Sequence, residues 1–139
     1  MKDNRIGERG FTLVELLVVL VILGLLVGVV GPKVVGYLGG AKSKTARVQV
    51  EQLAAALDLY LVDMGHYPSG EDGLAALVEA PMDAEFWNGP YLNKKQLPLD
   101  PWGNAFHYVI PGQDKEYDLY TLGADNAEGG EGQNADIYR

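Results

Sequence analysis

The order of hydrophobic and polar residues divides the chain into an apolar first part and a mixed second part. Residues 11–31 form a run of 21 residues with a single charge, on Glu15. In a helix at about 1.5 Å per residue, this run spans roughly 30 Å, the thickness of the hydrocarbon core of a bilayer. The pattern predicts a transmembrane helix. The alternative is a buried helix of a soluble protein, which we disfavour because so small a domain could hardly enclose it.

The helical pattern continues beyond this run. Gly31 and Pro32 predict a bend, because proline lacks a backbone donor and yet is tolerated within membrane helices. Glycines at 36–40 weaken the helix locally. From there on, apolar residues recur at steps of three or four, which indicates one amphipathic stripe: Val50, Leu53, Ala54, Leu57, Leu61 and Met64. We therefore predict one long helix over 11–64, amphipathic over 32–64.

Residues 65–139 have the composition of a small globular region. A short helical piece is predicted at 74–79. Two segments rich in aromatic and β-branched residues, 105–110 and 117–122, predict a β-hairpin over 105–122, with the turn at 111–114. The remainder, 123–139, is an acidic, glycine-rich loop. The predicted fold class is α+β: a long N-terminal helix packed on a small antiparallel sheet.

Composition argues against several classes of function. The net charge is −8 and cysteine is absent, so no disulfide can hold the loops. His66 and His107 lack the neighbours of a catalytic or metal site, and no phosphate-binding or dinucleotide fingerprint is present. Trp102, Phe106 and Tyr108 are predicted to pack in the core. We predict neither an enzyme nor a nucleic-acid partner.

The residues that flank the apolar run predict its orientation. Residues 1–10 carry Lys2, Arg5 and Arg9 against two acids, and a basic lead holds that end of a membrane span in the cytoplasm. The rest of the chain is then exported. No small-residue cleavage site follows the run, so the apolar segment is expected to be retained.

The sequence GFTLVE at residues 10–15, followed by an apolar helix, resembles the processing motif of type IV pilins and type II secretion pseudopilins. The resemblance implies a type IV pilin-like fold and a leader, 1–10, that the prepilin peptidase removes. Cleavage would fall between Gly10 and Phe11, and the new amino terminus of Phe11 would be methylated.

Glu15 needs a partner, because a carboxylate in hydrocarbon is costly. After cleavage, the nearest cation would be the amino group of Phe11. The resemblance implies that Glu15 of one subunit neutralises the Phe11 amine of another during filament assembly. A protonated Glu15 that merely tolerates the bilayer is the alternative. Gly24 and Gly28 have the spacing of a helix-packing motif, although flexibility near Pro32 explains them equally well.

Two strings in the second part, DPWGN at 100–104 and LGAD at 122–125, are similar to those of the major pseudopilins of type II secretion systems. This likeness implies the main structural subunit of a periplasmic pseudopilus, which polymerises through its N-terminal helix and helps to drive folded proteins across the outer membrane. The implied partners are further copies in a helical filament, minor pseudopilins, the prepilin peptidase, the inner-membrane assembly platform and the secretin.

The implied location is the bacterial inner membrane, crossed once, with the C-terminal domain in the periplasm. The alternative function is a type IV pilus subunit for adhesion or motility. That class usually carries a C-terminal cysteine pair, which is absent here. A third hypothesis is an anchored periplasmic binding domain that never polymerises, but the placement of Glu15 argues against it.

The acidic loop mixes carboxylates, amides and glycines, as Ca²⁺ sites do. Its spacing is not that of an EF-hand, and a solvated mobile tail is the alternative. The resemblance implies a structural Ca²⁺ with Asp125 and the Leu122 carbonyl as ligands. Relatives often have an aspartate where this chain has Gly132. The residues that could replace that missing ligand are Glu131, Asn134 and Asp136.

Overall fold

The computed structural model describes residues 10–82 and 84–139. Along the chain, it contains one long helix, two short 3₁₀ helices and three strands. The elements are α1 (Leu13–Met64), a 3₁₀ helix (Gly73–Leu77), β1 (His107–Val109), β2 (Asp118–Thr121), a 3₁₀ helix (Gly132–Asn134) and β3 (Ile137–Tyr138). The chain divides into two compact units, Met1–Tyr37 and Leu38–Arg139. The predicted leader 1–10 lies outside the described residues except for Gly10.

The first unit contains the N-terminal half of α1. Its most apolar 18-residue window has a mean hydropathy of 3.1 and none of that window is buried, so this helix is long and apolar enough to cross a membrane. Helical structure continues through Gly31, Pro32 and the glycines at 36–40. The chain therefore does not leave the helix at the proline, and the predicted bend there remains a prediction.

The second unit has one hydrophobic core, to which α1 contributes a stripe of small and large apolar side chains. The buried hydrophobic residues on this helix are Ala46, Val50, Leu53, Ala54, Ala56, Leu57 and Tyr60. Four of them belong to the predicted stripe, while Leu61 and Met64 are only half-buried at its end. The rest of the core comes from Leu74, Ala76, Leu77, Phe106, Tyr117, Leu119 and Ile137. Trp102 and Tyr108 pack against this core, as the sequence predicts.

The three strands form an antiparallel sheet in the order β1-β2-β3. Both strands of the hairpin are shorter than the predicted 105–110 and 117–122. β3 was not predicted, because Ile137 and Tyr138 follow a long polar segment and two apolar residues alone do not indicate a strand. Ile137 is nevertheless buried, and the Arg139 N–H donates to the Leu119 carbonyl at 3.0 Å. The acidic segment therefore ends in the sheet, and the loop proper runs between β2 and β3.

Asp100 fixes the turn that precedes the hairpin. It is 4% exposed, and its Oδ1 accepts hydrogen bonds from the backbone N–H groups of Trp102 (3.0 Å) and Asn104 (2.8 Å). Its Oδ2 accepts from the Thr121 hydroxyl at 2.5 Å. The Asn104 side chain in turn donates to the Gly123 carbonyl at 3.2 Å. The DPWGN turn is thus attached both to β2 and to the start of the acidic loop.

Asp100→Ala should destabilise the second unit, because it leaves the buried Thr121 hydroxyl and the half-buried N–H groups of Trp102 and Asn104 without their acceptor. Each orphaned donor costs about 1–3 kcal/mol, so the loss of unfolding free energy should exceed about 2 kcal/mol. Denaturant unfolding of the purified chain, followed by tyrosine and tryptophan fluorescence, measures it. The exposed Asp114→Ala is the matched control, and equal stability of the two variants would contradict the prediction.

Candidate functional site

The predicted cleavage point lies just before α1. Gly10, Phe11 and Thr12 have no regular secondary structure, and α1 begins at Leu13. Gly10 is exposed and the Phe11 side chain is 82% exposed. A peptidase needs an accessible, non-helical bond, and the Gly10–Phe11 bond meets that requirement.

Thr12 and Glu15 form a capping box at the start of α1. The Thr12 N–H and hydroxyl donate to the Glu15 Oε2 at 2.8 and 3.0 Å, and the Glu15 N–H donates to the Thr12 hydroxyl at 3.3 Å. These bonds satisfy backbone donors that a helix start otherwise leaves unpaired. Sequence reasoning missed Thr12 as a partner of Glu15, although Thr-x-x-Glu before an apolar run is the signature of this motif. Cleavage after Gly10 would leave both residues in the chain.

Apolar side chains cover the first half of α1 on every face. From Leu13 to Val30 the aliphatic side chains are roughly half to four-fifths exposed. A helix that is apolar all round needs a membrane or other protein around it. Apart from the backbone of the helix itself, Gly24 and Gly28 have no atom of the described chain within 4 Å of a would-be Cβ, so the face with these two glycines is open.

The acidic loop folds back on itself and brings its two ends together. The Ala124 N–H donates to the Gln133 carbonyl at 2.9 Å. A Cβ on Gly123, whose φ is +73°, would lie 2.8–2.9 Å from backbone atoms of Asn134. Only glycine permits both this conformation and this approach. The segment with Leu122 and Asp125 therefore lies beside the segment with Asn134 and Asp136.

Two carboxylates hold turns within the loop. Asp125 Oδ1 accepts a hydrogen bond from the Ala127 N–H at 3.2 Å, and Asp136 Oδ2 accepts from the Gly129 N–H at 3.0 Å. The other carboxylate oxygen of Asp136, Oδ1, is buried and has no hydrogen-bond partner in the described chain. A buried anionic oxygen without a donor is costly, so a cation at this position would satisfy it.

The remaining predicted ligands differ in how they are placed. Glu131 is exposed, and its carbonyl accepts from the Asn134 N–H at 3.1 Å. Gly132 has a φ of +62° and, without a side chain, offers only a carbonyl. Within residues 10–82 and 84–139, no group of three or more Asp, Glu, His or Cys side chains could hold a metal by itself. A cation here would depend on backbone and amide oxygens as well, which Ca²⁺ accepts.

The loop contacts α1 on one side through Gly39. Gly39 is buried, and a Cβ built there would lie 2.9 Å from the Gln133 side-chain oxygen. Any larger residue at 39 would displace Gln133. The sequence pattern treated this glycine only as a weak point of the helix, whereas the structure gives it a packing role.

Arg139 anchors the far end of the loop to α1. Its guanidinium donates to the Tyr117 hydroxyl and lies 3.4 Å from Asp58. The Asp58–Arg139 ion pair is half-exposed and contributes little stability by itself. Burial raises the pKa of Tyr117 to about 12, so that phenol stays neutral and accepts the hydrogen bond. β3 is therefore held at its end as well as along its backbone.

Family models match almost the whole chain. The model for type II secretion system (T2SS), protein G matches residues 33–139, and the model for the prokaryotic N-terminal methylation motif matches residues 5–31. The chain is 46% identical over 138 residues to type II secretion system core protein G of Pseudomonas aeruginosa, a match that covers 96% of each chain. It is 44% identical to the protein of that name in Vibrio cholerae, over 99% of this chain and 94% of the relative.

A solved structure resembles the chain as well. The crystal structure of the major pseudopilin from the type 2 secretion system of enterohaemorrhagic Escherichia coli aligns with a TM-score of 0.58 at 31% identity. The alignment covers 71% of this chain and 86% of that one. The long N-terminal apolar helix with a small antiparallel sheet is thus a fold known from this group.

Gly130→Ala should disrupt the loop more than Gly129→Ala. Both glycines have positive φ, +86° and +88°, so alanine at either position adds backbone strain. Only at Gly130 would the Cβ meet the Asn134 carbonyl oxygen, at 2.5 Å, while the Cβ at 129 enters open space. Thermal unfolding and limited proteolysis of the loop should rank the two variants in this order. Equal effects would show that strain alone matters here.

Proposed function

Because the chain belongs to the type II secretion system protein G family, we propose that it is the main structural subunit of a type II secretion pseudopilus. It polymerises through its N-terminal helix and helps to drive folded proteins across the outer membrane. The observation that carries this proposal is a processing motif, GFTLVE, set on a helix whose apolar half is exposed all round. The relatives favour this function over a type IV pilus subunit, and the family is one of structural subunits and not of enzymes.

The exposed apolar half of α1 is the polymerisation element. In the membrane, lipid covers it, and in the filament the helices of neighbouring copies do so instead. The small residues Gly24 and Gly28 let helix backbones approach closely. Gly31 and Pro32 provide a bend where the span leaves the bilayer, since a proline inside a helix removes one hydrogen bond.

Glu15 selects the register between neighbouring copies. The prepilin peptidase cuts between Gly10 and Phe11 and leaves a methylated, positively charged amine on Phe11. Glu15 of one copy pairs with this amine of the next. The capping box supports this role because it fixes the Glu15 carboxylate at the start of the helix, near the new terminus.

The acidic loop holds a structural Ca²⁺, with the Leu122 carbonyl and the carboxylates of Asp125 and Asp136 as the main ligands. Glu131 or Asn134 supplies an oxygen in place of the aspartate that relatives often carry at the position of Gly132. The orphaned Asp136 Oδ1 and the close approach of the two loop ends support this ligand set. When bound, the ion neutralises these carboxylates and stabilises the folded loop, in the place of a disulfide.

The apolar span and the family support the following location. One apolar helix anchors the subunit in the inner membrane, with the second unit in the periplasm, and the assembled filament is periplasmic. Its partners are further copies, minor pseudopilins, the prepilin peptidase, the assembly platform and the secretin.

Glu15→Ala should leave cleavage and methylation intact while it abolishes filament growth, because the Phe11 amine of the next copy loses its partner. Mass spectrometry of the membrane-extracted protein detects the N-methylated Phe11 terminus, and shearing with electron microscopy measures filaments. Glu51→Ala, which removes an exposed carboxylate on the second half of α1, is the matched control. Normal filaments from Glu15→Ala would contradict the proposed pairing.

Removal of Ca²⁺ with a chelator should lower the melting temperature and make the loop sensitive to protease. Asp136→Asn and Asp125→Ala should reproduce the loss in the presence of Ca²⁺, because each removes a negative ligand. Asp114→Asn, an exposed carboxylate outside the loop, should respond to chelator like the unaltered chain. Superimposable melting curves with and without chelator would eliminate the Ca²⁺ site and leave the filament proposal standing.

A further inference from the structure

The sheet has one face on the core and one face to the outside. On β2, Leu119 and Thr121 are buried, so the alternate residues Asp118 and Tyr120 point outward. Residues paired across an antiparallel sheet share a face. The register pairs Tyr120 with His107 on β1 and with Tyr138 on β3. The outer face therefore carries three aromatic rings in a row.

These three rings form a continuous stack, which we call the aromatic ladder (His107, Tyr120 and Tyr138). The His107 and Tyr120 ring centroids lie 5.0 Å apart with planes 12° apart, and those of Tyr120 and Tyr138 lie 4.9 Å apart at 28°. Tyr138, on the edge strand, is 55% exposed. The stack thus ends in a tyrosine that is open to solvent and stacked on one neighbour.

An acidic groove of about 380 Å³ runs beside the ladder. Tyr120 and Tyr138 line it together with the hairpin turn, and its charged residues are Asp114, Asp118, Glu128 and Lys115. The groove thus contains three carboxylates and one ammonium group, that of Lys115. The Lys115 ammonium donates a hydrogen bond to the Arg139 carbonyl at 2.9 Å. The field in the groove favours a cation.

We propose that the aromatic ladder and the acidic groove together bind an arginine side chain presented by a partner protein. A guanidinium is planar and stacks on an exposed tyrosine face, while its fork of donors matches a carboxylate. Tyr138 offers the ring, and Glu128 and Asp118 offer the carboxylates. Lysine matches this site less well, because an ammonium group neither stacks nor donates in a plane.

This site goes beyond the proposed polymerisation. All its residues lie in the second unit of a single copy, between Leu38 and Arg139, and none belongs to the apolar half of α1. An unassembled subunit would bind arginine as well as a filament does. Failure of arginine binding would therefore not affect the filament proposal, and failure of Glu15→Ala to stop assembly would not affect this one.

Ligand-observed saturation-transfer NMR on the full chain in detergent, with Ca²⁺, tests the proposal. The probe is a capped pentapeptide with one arginine between glycines, compared with the same peptide carrying citrulline or lysine. We expect the arginine peptide to bind at low salt, citrulline to bind at least about tenfold more weakly because it lacks the charge, and high salt to weaken binding.

Two variants and two matched controls locate the binding. Glu128→Gln and Tyr138→Ala should each weaken arginine binding several-fold, since one removes a carboxylate and the other removes the exposed ring. Glu71→Gln and Phe86→Ala change an exposed carboxylate and an exposed aromatic ring elsewhere, and should leave binding unchanged. Circular dichroism checks that all four variants are folded.

Three outcomes would overturn the proposal. Equal binding of the citrulline and arginine peptides would show that the site does not recognise the positive charge of the guanidinium. Binding of a glucan oligosaccharide that depends on Tyr138, without any arginine binding, would assign the ladder to sugars. Tighter peptide binding after Arg47→Gln would show that the exposed Arg47 of a second copy is the natural occupant, in which case the surface serves self-association.

Discussion

The apolar half of α1 cannot remain in water, and the other features of the structure are best understood from this constraint. A helix with aliphatic side chains on all faces must be covered by lipid or by other helices, and both environments exclude an unpaired carboxylate. Glu15 is the one charge in this segment, and the capping box orients it at the helix start. The part of the segment that most needs a positive partner is therefore held at the very start of the helix.

The elements with a strong period could be predicted from the sequence. The long helix and the core stripe around Val50, Leu53 and Leu57 follow from spacing alone, because each side chain has a fixed direction on a helix. β3 could not be predicted, since Ile137 gains its burial from β2, which is distant in sequence. The length of the hairpin strands also depends on tertiary pairing and not on the propensity of residues 105–110.

The candidate site was predictable in composition but not in geometry. The sequence indicates oxygen-rich chemistry in the acidic loop, yet nothing in it shows that Asp136 has a buried oxygen without a donor. The contact between Gly123 and the Asn134 backbone, which closes the loop, depends on a positive φ that the sequence only permits. Thr12 is a different case, because its spacing from Glu15 was a readable signal.

The contact between Gly39 and Gln133 attaches the acidic loop to α1 at a defined position along the helix. Local unwinding of α1 at Gly39 would therefore remove the surface against which the Gln133 side chain packs. The packing of the acidic loop thus depends on the helical state of α1 at this residue.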